Sequence, residues 1–331
     1  MKRKTRCKLI SIWFALLFCS VPSFSSSWLE GKLAFVKKGP LKGICVLEQG
    51  KVREIFSTGA DIERVSWSPD GEEIVFNLLE FNEKSICVKS TIYIISSRGG
   101  APRKLEIEEG NYKFRTLHLP DWSPKGDEIA FLGFFETKSG VKNEIFTVKI
   151  SGKGLKEITH DRVTPGIRYL SWAPDGRRIA FDRGSWDEMN QDLFIVDVIS
   201  GEVERLTQTR GISEYSPSFS PDGRRIAYVT LSNGLFIMDL ESRDHIRIPL
   251  PGQLDVRDSR ITWSMNGDQI VFNAGGDLYL YDLKSQKFRK LSVDIPGAKG
   301  CPDWWSGYAA VRPLNLLYTL WSLIKVNRVK P

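Results

Sequence analysis

Histidine is scarce in this chain of 331 residues, and that scarcity restricts the metal chemistry that the sequence favours. The three histidines, His118, His160 and His245, show no HxH, HExxH or His-Cys spacing. His118 and His160 fall in or near connections between predicted strands, where a shared metal site is the alternative to ordinary structural roles. The sequence therefore predicts neither a metal site nor a cofactor.

Cysteines and nucleophile motifs are equally sparse. Cys7 and Cys19 lie in the N-terminal segment, which leaves Cys45, Cys87 and Cys301, an odd number without CxxC spacing. We therefore predict free or structural thiols rather than a disulfide. No GxSxG sequence occurs, so the serine nucleophile elbow of α/β-hydrolases is missing. No catalytic residue is predicted.

An excess of charge is also missing from the main part of the chain. The net charge is +7, but residues 1–25 contribute five positive charges and residues 308–331 four, and neither segment contains an acid. The part between them carries a net charge of −2. Because nucleic-acid binding needs a basic footprint, we predict no nucleic-acid partner.

The first 25 residues read as a secretory signal peptide. Five basic residues between Lys2 and Lys8 precede an apolar stretch from Leu9 to Phe18, and small residues follow around Ser23 and Ser25. An uncleaved anchor is the lesser alternative, since the stretch is short for a bilayer-spanning helix. A lipidated Cys19 is disfavoured by the bulky Phe18 before it. We expect a periplasmic or secreted protein.

A repeat dominates the rest of the chain. A strand-like segment runs through a turn into a second strand five times: VSWSPDGEEIVF, PDWSPKGDEIAF, LSWAPDGRRIAF, PSFSPDGRRIAYV and ITWSMNGDQIVF, with a weaker sixth copy in CPDWWSGYAAV. The aromatic anchors are Trp67, Trp122, Trp172, Phe219, Trp263 and Trp304, spaced by 55, 50, 47, 44 and 41 residues. Such a period is typical of a four-stranded propeller blade.

Turn chemistry explains why the motif recurs. Proline presets its own φ, Asp or Asn bonds the neighbouring backbone, and Gly takes the positive φ that other residues resist. Asp70, Asp175 and Asp222 could instead be read as metal ligands or catalytic acids. Their place in the repeat favours turn formation.

We name the four strands of a repeat A, B, C and D. Residues 32–56 supply three strands without a preceding A strand, and the sequence around Trp304 supplies an A strand without the other three. Together they complete one blade. The sequence thus predicts an all-β fold, a six-bladed β-propeller of four-stranded antiparallel blades over residues 26–307, closed by N- and C-terminal strands in one shared blade.

These repeats resemble the TolB-like, or PD40-type, β-propeller repeat, whose hallmark is an aromatic residue followed by SPDG and an aliphatic-Ala-Phe strand. WD40, kelch and sialidase signatures fit worse. Related propellers belong to prolyl-oligopeptidase-type and tricorn-type proteases, to metal-dependent oligogalacturonate lyases and to TolB proteins with an added α/β domain. We expect the propeller here without the hydrolase or α/β domain.

The function implied is non-catalytic binding of a protein or peptide, as a scaffold or sensor. The alternative is a polysaccharide lyase or hydrolase with its site in the central channel. The B-to-C loops of the first three complete repeats, near residues 78–90, 132–143 and 183–191, are longer than the others and should raise one rim. We predict a binding surface there from the aromatic, acidic and methionine side chains Phe81, Phe134, Phe135, Trp186, Glu188 and Met189. Packing of the loops is the alternative role of these aromatic residues.

Residues 308–331 form a basic tail. Leu314, Leu317, Leu320, Trp321 and Ile324 share one face of a helical projection. We expect a short helix or strand packed on the propeller, with partner docking or contact with a membrane surface as alternatives. The oligomeric state is not indicated.

Overall fold

The computed structural model describes residues 29–305 except 161–165, 185–189, 210, 233, 253, 292, 294 and 295. These residues form 24 strands in six four-stranded antiparallel sheets. The six-bladed propeller predicted from the repeats is confirmed. Among the described residues there is no helix, and hence none long and apolar enough to cross a membrane.

The strands follow the order A, B, C, D within each sheet. Blade 1 contains β4 (Asp61–Trp67), β5 (Glu73–Phe81), β6 (Cys87–Ser96) and β7 (Arg103–Lys104). Blade 2 contains β8 (Phe114–Trp122), β9 (Glu128–Thr137), β10 (Gly140–Lys149) and β11 (Lys156–Glu157). Blade 3 contains β12 (Ile167–Trp172), β13 (Arg178–Arg183), β14 (Asp192–Asp197) and β15 (Val203–Arg205).

The remaining blades follow the same plan. Blade 4 contains β16 (Glu214–Phe219), β17 (Arg225–Thr230), β18 (Gly234–Asp239) and β19 (His245–Ile248). Blade 5 contains β20 (Ile261–Trp263), β21 (Gln269–Ala274), β22 (Asp277–Asp282) and β23 (Lys287–Leu291). Blade 6 combines β24 (Lys299–Trp305) with β1 (Lys32–Lys37), β2 (Lys42–Glu48) and β3 (Lys51–Thr58).

Blade 6 closes the ring as the sequence predicts. β24 pairs with β1, so that Trp304 lies opposite Leu33 and Trp305 opposite Lys32. The two ends of the described chain are therefore held in one sheet, and neither leaves an unpaired inner strand at the seam.

The repeated turn gives blades 1 to 5 the same A-to-B connection. In blade 1, Ser68 Oγ donates to Asp70 Oδ1 at 2.5 Å, and the same carboxylate oxygen accepts from the backbone N–H of Glu72 at 3.0 Å. Asp222 repeats this arrangement in blade 4. These acids shape turns, in agreement with the sequence prediction. We call the side of the ring that carries the A-to-B turns the turn face.

The opposite side carries the B-to-C loops and the D-to-A connections, and we call it the loop face. Between the two faces the B strands form the core: Ile74, Val75 and Phe76 of β5 are fully buried, as are their counterparts in the other blades. Because every blade buries apolar side chains on both sheet surfaces, the blades pack against each other and fix the A strands around the axis.

Candidate functional site

A cavity of about 1000 Å³ opens on the propeller axis, lined by residues of the A strand of every blade and by the A-to-B turns. We call it the axial pocket. Its mouth lies on the turn face, where one turn residue from each of five blades contributes to the rim: Pro69, Pro124, Pro174, Pro221 and Met265. The repeated turn therefore has two roles, since it connects the strands and forms an apolar mouth.

Trp305 forms the sixth side of the mouth, where blade 6 departs from the repeat. Its indole N–H donates to the carbonyl of Pro69 at 2.9 Å, and its ring centroid lies 6.3 Å from that of Trp67. Lys32 Nζ lies 4.9 Å from the ring centroid of Trp305. Trp305 is thus held in place as part of the pocket wall.

The wall of the pocket contains a ring of polar side chains that connects neighbouring blades. Each occupies the position before the repeat's aromatic residue and accepts a hydrogen bond from the backbone N–H of the next aromatic residue in the ring. The four links are Ser66 to Trp122 (3.1 Å), Asp121 to Trp172 (2.8 Å), Thr262 to Trp304 (3.0 Å) and Asp303 to Trp67 (2.8 Å). Asp303 thereby ties blade 6 to blade 1.

The two carboxylates in this ring have different environments. Asp121 also receives Arg64 Nη2 at 2.6 Å, which pairs its charge. For Asp303, burial raises the pKa to about 6, although the backbone N–H of Trp67 acts in the opposite direction. Both carboxylates are held by the neighbouring blade, and their clearest role is to join blades.

Arginine and tyrosine side chains form the floor of the axial pocket. They lie three positions before the aromatic anchor, where a β-bulge disrupts the A-to-B register in blades 1, 2, 3 and 4. Bulges re-aim side chains, and here they accompany Arg64 and Tyr169 lining the channel. Arg260 lies directly before β20 and contributes from blade 5.

The two arginines of the floor differ in their partners. Arg64 bonds Asp121 and donates from Nη1 to the carbonyl of Leu170 at 2.6 Å. Arg260 instead lies with its guanidinium carbon 3.7 Å from the ring centroid of Tyr169. Its Nε is buried without an acceptor among the described residues, and it forms no ion pair with any of them.

Below the floor, toward the loop face, the channel holds a buried polar network. Glu63 Oε2 accepts from Asn77 Nδ2 at 2.9 Å and lies 3.0 Å from His118 Nδ1. Burial acts to raise the pKa of Glu63, but the hydrogen bond and charge of His118 bring it below its ordinary value. Asp182 is fully buried. Burial raises its pKa to about 7, and one of its oxygens has no partner among the described residues.

The histidines do not converge. His118 faces Glu63, whereas His160 lies 3.5 Å from Glu157 at the outer strand of blade 2. Within the described part of the chain, no group of three or more His, Cys, Asp or Glu side chains could hold a metal ion. Cys45, Cys87 and Cys301 are free thiols.

Three of the residues predicted for the raised rim, Phe81, Phe134 and Phe135, are described, and they lie on the loop face, away from the mouth of the axial pocket. Phe81 ends β5 and is 45% exposed. Phe134 is half-buried, with its ring centroid 5.1 Å from that of His118. Phe135 is buried among aromatic rings, including Phe146 at 5.6 Å. Trp186, Glu188 and Met189 fall outside the described residues. The rim remains a prediction.

Sequence reasoning missed both the axial pocket and two exposed apolar residues beside Phe81. Ile86 and Val88, in the β5–β6 hairpin, are 57% and 53% exposed. The floor residues of the pocket carry a signal that an alignment of the repeats would have shown. Their common position holds five residue types in the six blades, with arginine in two of them: Arg64, Leu119, Tyr169, Ser216, Arg260 and Cys301. A position that varies within an otherwise regular repeat indicates residues with a role other than building the blade.

Known proteins resemble this chain over parts of its length. TolB from Acinetobacter baumannii superposes with a TM-score of 0.62 and 21% identity, over 83% of this chain and 66% of that one. Dipeptidyl-peptidase 5 of Porphyromonas gingivalis is 27% identical over 147 residues, which are 38% of this chain and 21% of the peptidase. The Tol-Pal system protein TolB of Francisella tularensis subsp. mediasiatica is 37% identical over 86 residues, 24% of this chain and 19% of that protein.

The matched regions thus span about a fifth of the length of these two curated relatives. The family model described as "TolB beta propeller domain" (PD40) matches residues 115–295, more than half of the chain. It covers blades 2 to 5, which carry four of the five repeated turns and most of the pocket mouth. This chain belongs to the TolB beta propeller domain family.

Proposed function

We propose that this chain is an extracytoplasmic, non-catalytic scaffold or sensor that binds a protein or peptide, and that the binding site is the axial pocket. The observation that carries the proposal is the composition of the pocket. Its mouth is formed by prolines, Met265 and indole rings, and its floor contains arginine and tyrosine. Aromatic residues, Met and Arg are the residues enriched where proteins bind one another.

The size of the pocket fits a peptide segment. At about 1000 Å³ it lies at the upper end of the range for small-molecule sites, and it is open on one side to the turn face. A loop or chain end of a partner could therefore enter while the rest of that partner rests on the ring of turns. This arrangement uses a rigid scaffold rather than a closing lid.

The competing proposal is a polysaccharide lyase or hydrolase that acts in the same channel. It would need an acid or base free to reach the substrate. Asp303 is the best candidate, since burial raises its pKa to about 6. However, Asp303 already accepts from Trp67 of the next blade, and Asp121 is paired with Arg64. These engagements favour binding over catalysis.

The cellular location is part of the proposal. The signal-peptide pattern in residues 1–25 supports export. The relatives that match include a protein named for the Tol-Pal system. We infer a periplasmic or secreted protein whose partner belongs to the cell envelope, with residues 308–331 as a further contact to protein or membrane.

The test compares the two faces in one capture experiment. The full chain, expressed with its own N-terminal segment and purified after export, is used as bait with envelope extract, and bound proteins are identified by mass spectrometry. Met265→Arg places a charge at the mouth of the axial pocket, and Phe81→Arg places the same charge on the loop face. Both variants are checked for folding by circular dichroism.

We expect Met265→Arg to lose a partner that wild type and Phe81→Arg retain. Loss only with Phe81→Arg would move the binding site to the predicted rim. Retention by both variants would contradict the axial pocket as the site. Turnover of envelope polysaccharide by the same preparation, abolished by Asp303→Asn, would favour the enzyme instead.

A further inference from the structure

The floor of the axial pocket contains a cation, Arg260, that makes no direct ion pair with a described carboxylate; Glu63 and Asp182 act on its charge only from a greater distance. Arg260 makes no ion pair with any described residue, and its buried Nε lacks an acceptor. Buried polar groups normally have a partner. An arginine is always protonated and can only donate, so the hydrogen bond to Tyr169 engages part of the guanidinium and the rest still needs acceptor oxygens.

Two other arginines that line the pocket, Arg64 and Arg178, each make a direct ion pair. Arg64 binds Asp121 at 2.6 Å. Arg178 binds Asp175 within the blade 3 turn, also at 2.6 Å. Arg260 therefore differs from Arg64 and Arg178 in how its charge is balanced.

The orientation of Arg260 is fixed before any ligand enters. Its guanidinium stacks on Tyr169, 3.7 Å from the ring centroid, and its backbone N–H donates to Asn273 Oδ1 at 2.8 Å. Stacking on an aromatic face leaves the edges of the guanidinium available for planar hydrogen bonding. A pre-oriented fork of this kind matches the two oxygens of a carboxylate.

We propose that the peptide bound in the axial pocket presents a carboxylate to Arg260. The proposal rests on the peptide-binding function proposed above and names the chemical group that the pocket selects. A carboxylate carries one negative charge and two acceptor oxygens, which suits a single guanidinium that has no direct ion pair. A dianionic phosphate suits this floor less well, because Asp303 and Asp121 lie in the wall directly above it.

The carboxylate has two sources in a peptide, an acidic side chain or the C-terminus. Three pentapeptides separate them. Acetyl-Ala-Ala-Glu-Ala-Ala-amide carries a side-chain carboxylate, the same peptide with Gln in place of Glu is neutral, and the Gln peptide with a free C-terminus carries a terminal carboxylate. Binding to the full chain is measured at constant pH and ionic strength.

Tryptophan fluorescence gives a direct readout, since Trp67, Trp172 and Trp263 line the pocket. We expect one or both carboxylate peptides to bind at least about tenfold more tightly than the neutral peptide, as for a hydrogen bond to a charged group. The tighter of the two identifies the source. Equal binding of all three peptides, or no binding of any, would overturn the proposal.

Two variants locate the effect. Arg260→Met keeps an unbranched side chain over Tyr169 but removes the charge, and we expect it to abolish the preference for carboxylate. Arg224→Gln removes a charge from another pocket residue and should leave most of the preference intact. A preference that survives in folded Arg260→Met, or that Arg224→Gln removes equally, would contradict the assignment. If Arg260→Met does not fold, Arg260→Lys tests the loss of the planar fork.

The peptide experiment and the capture experiment can refute the two proposals independently. A partner lost by Met265→Arg but still bound normally by Arg260→Met would leave peptide binding at the pocket intact and refute only the carboxylate. A partner unaffected by Met265→Arg would remove the pocket as the site altogether.

Discussion

The A-to-B connections on one face of the propeller are uniform, whereas the connections on the other face are variable. On the turn face, the A-to-B connections of blades 1 to 5 repeat a short turn with nearly constant residues, and most of the wall of the axial pocket follows from that repetition. On the loop face, the connections differ in length and composition, and β5–β6 and β9–β10 extend as long hairpins. The comparison shows that a pocket can arise from the regular part of a repeat and does not need an added loop.

The pKa values of aspartate side chains also differ between the turn face and the channel toward the loop face. In the turns, Asp70 and Asp222 accept hydrogen bonds from serine and from backbone N–H groups, and their pKa values lie below the ordinary value for aspartate. In the channel toward the loop face, burial raises the pKa of Asp182 to about 7. The turn face stabilises the charge of its aspartates, whereas burial opposes the charge of Asp182. Glu63 in the same channel is also buried, but His118 brings its pKa below the ordinary value.

The largest expected effect follows from this contrast. The raised pKa means that folded protein holds the Asp182 proton more tightly than unfolded protein, so that stability falls as pH rises from about 4 to about 7. Asp182→Asn should therefore stabilise the protein above pH 7, by up to the order of 4 kcal/mol, and change little at pH 4. Urea denaturation at several pH values measures the difference.

Asp222→Asn is the matched control on the turn face. Its lowered pKa contributes stability that is present above pH 4 and is lost as pH falls, so the variant should be less stable than wild type at pH 7 and similar to it at low pH. A gain of stability for Asp182→Asn that does not depend on pH would contradict the assigned charge state.

The predicted rim residues differ in burial, and this difference predicts the second-largest effect on stability. Phe135 packs against Tyr112, Phe114 and Phe146, so Phe135→Ala should cost about 3 kcal/mol of unfolding free energy. Because Phe81 is 45% exposed, Phe81→Ala should lower the free energy of unfolding by no more than about 0.5 kcal/mol. Equal losses in thermal or urea unfolding would show that Phe81 also packs the hairpin, and would weaken its assignment to a binding surface.

The sequence predicted the blades more completely than the site for a physical reason. Ser68, Asp70 and Gly71 specify a turn through local hydrogen bonds and φ, so that one copy is sufficient to identify it and five copies identify the repeat. The shared blade followed from counting strands at both ends. Arg260 and Tyr169 give no such signal, because what brings them together is closure of the ring and the bulged register of the A strands. Neither is a property of neighbouring residues.

The smallest expected effect on stability tests whether Trp305 of blade 6, the one irregular blade, is held against the turn of blade 1. Gly71 has a φ of +70°, and a Cβ added there would lie 2.3 Å from Trp305 Cε2. Gly50 has a similar φ of +75° with nothing within 4 Å of an added Cβ. Both Ala variants carry the strain of positive φ, roughly 1 kcal/mol, but only Gly71→Ala must also displace Trp305.

We therefore expect Gly71→Ala to lose about 1 to 2 kcal/mol more than Gly50→Ala in urea unfolding. Displacement of Trp305 breaks its hydrogen bond to Pro69 and widens the mouth of the axial pocket, so the tryptophan emission of Gly71→Ala should shift to longer wavelength while that of Gly50→Ala does not. If the two variants behave alike, Trp305 is not held against the blade 1 turn. The mouth would then be formed by five regular blades, and the binding site on the turn face would owe nothing to the irregular sixth.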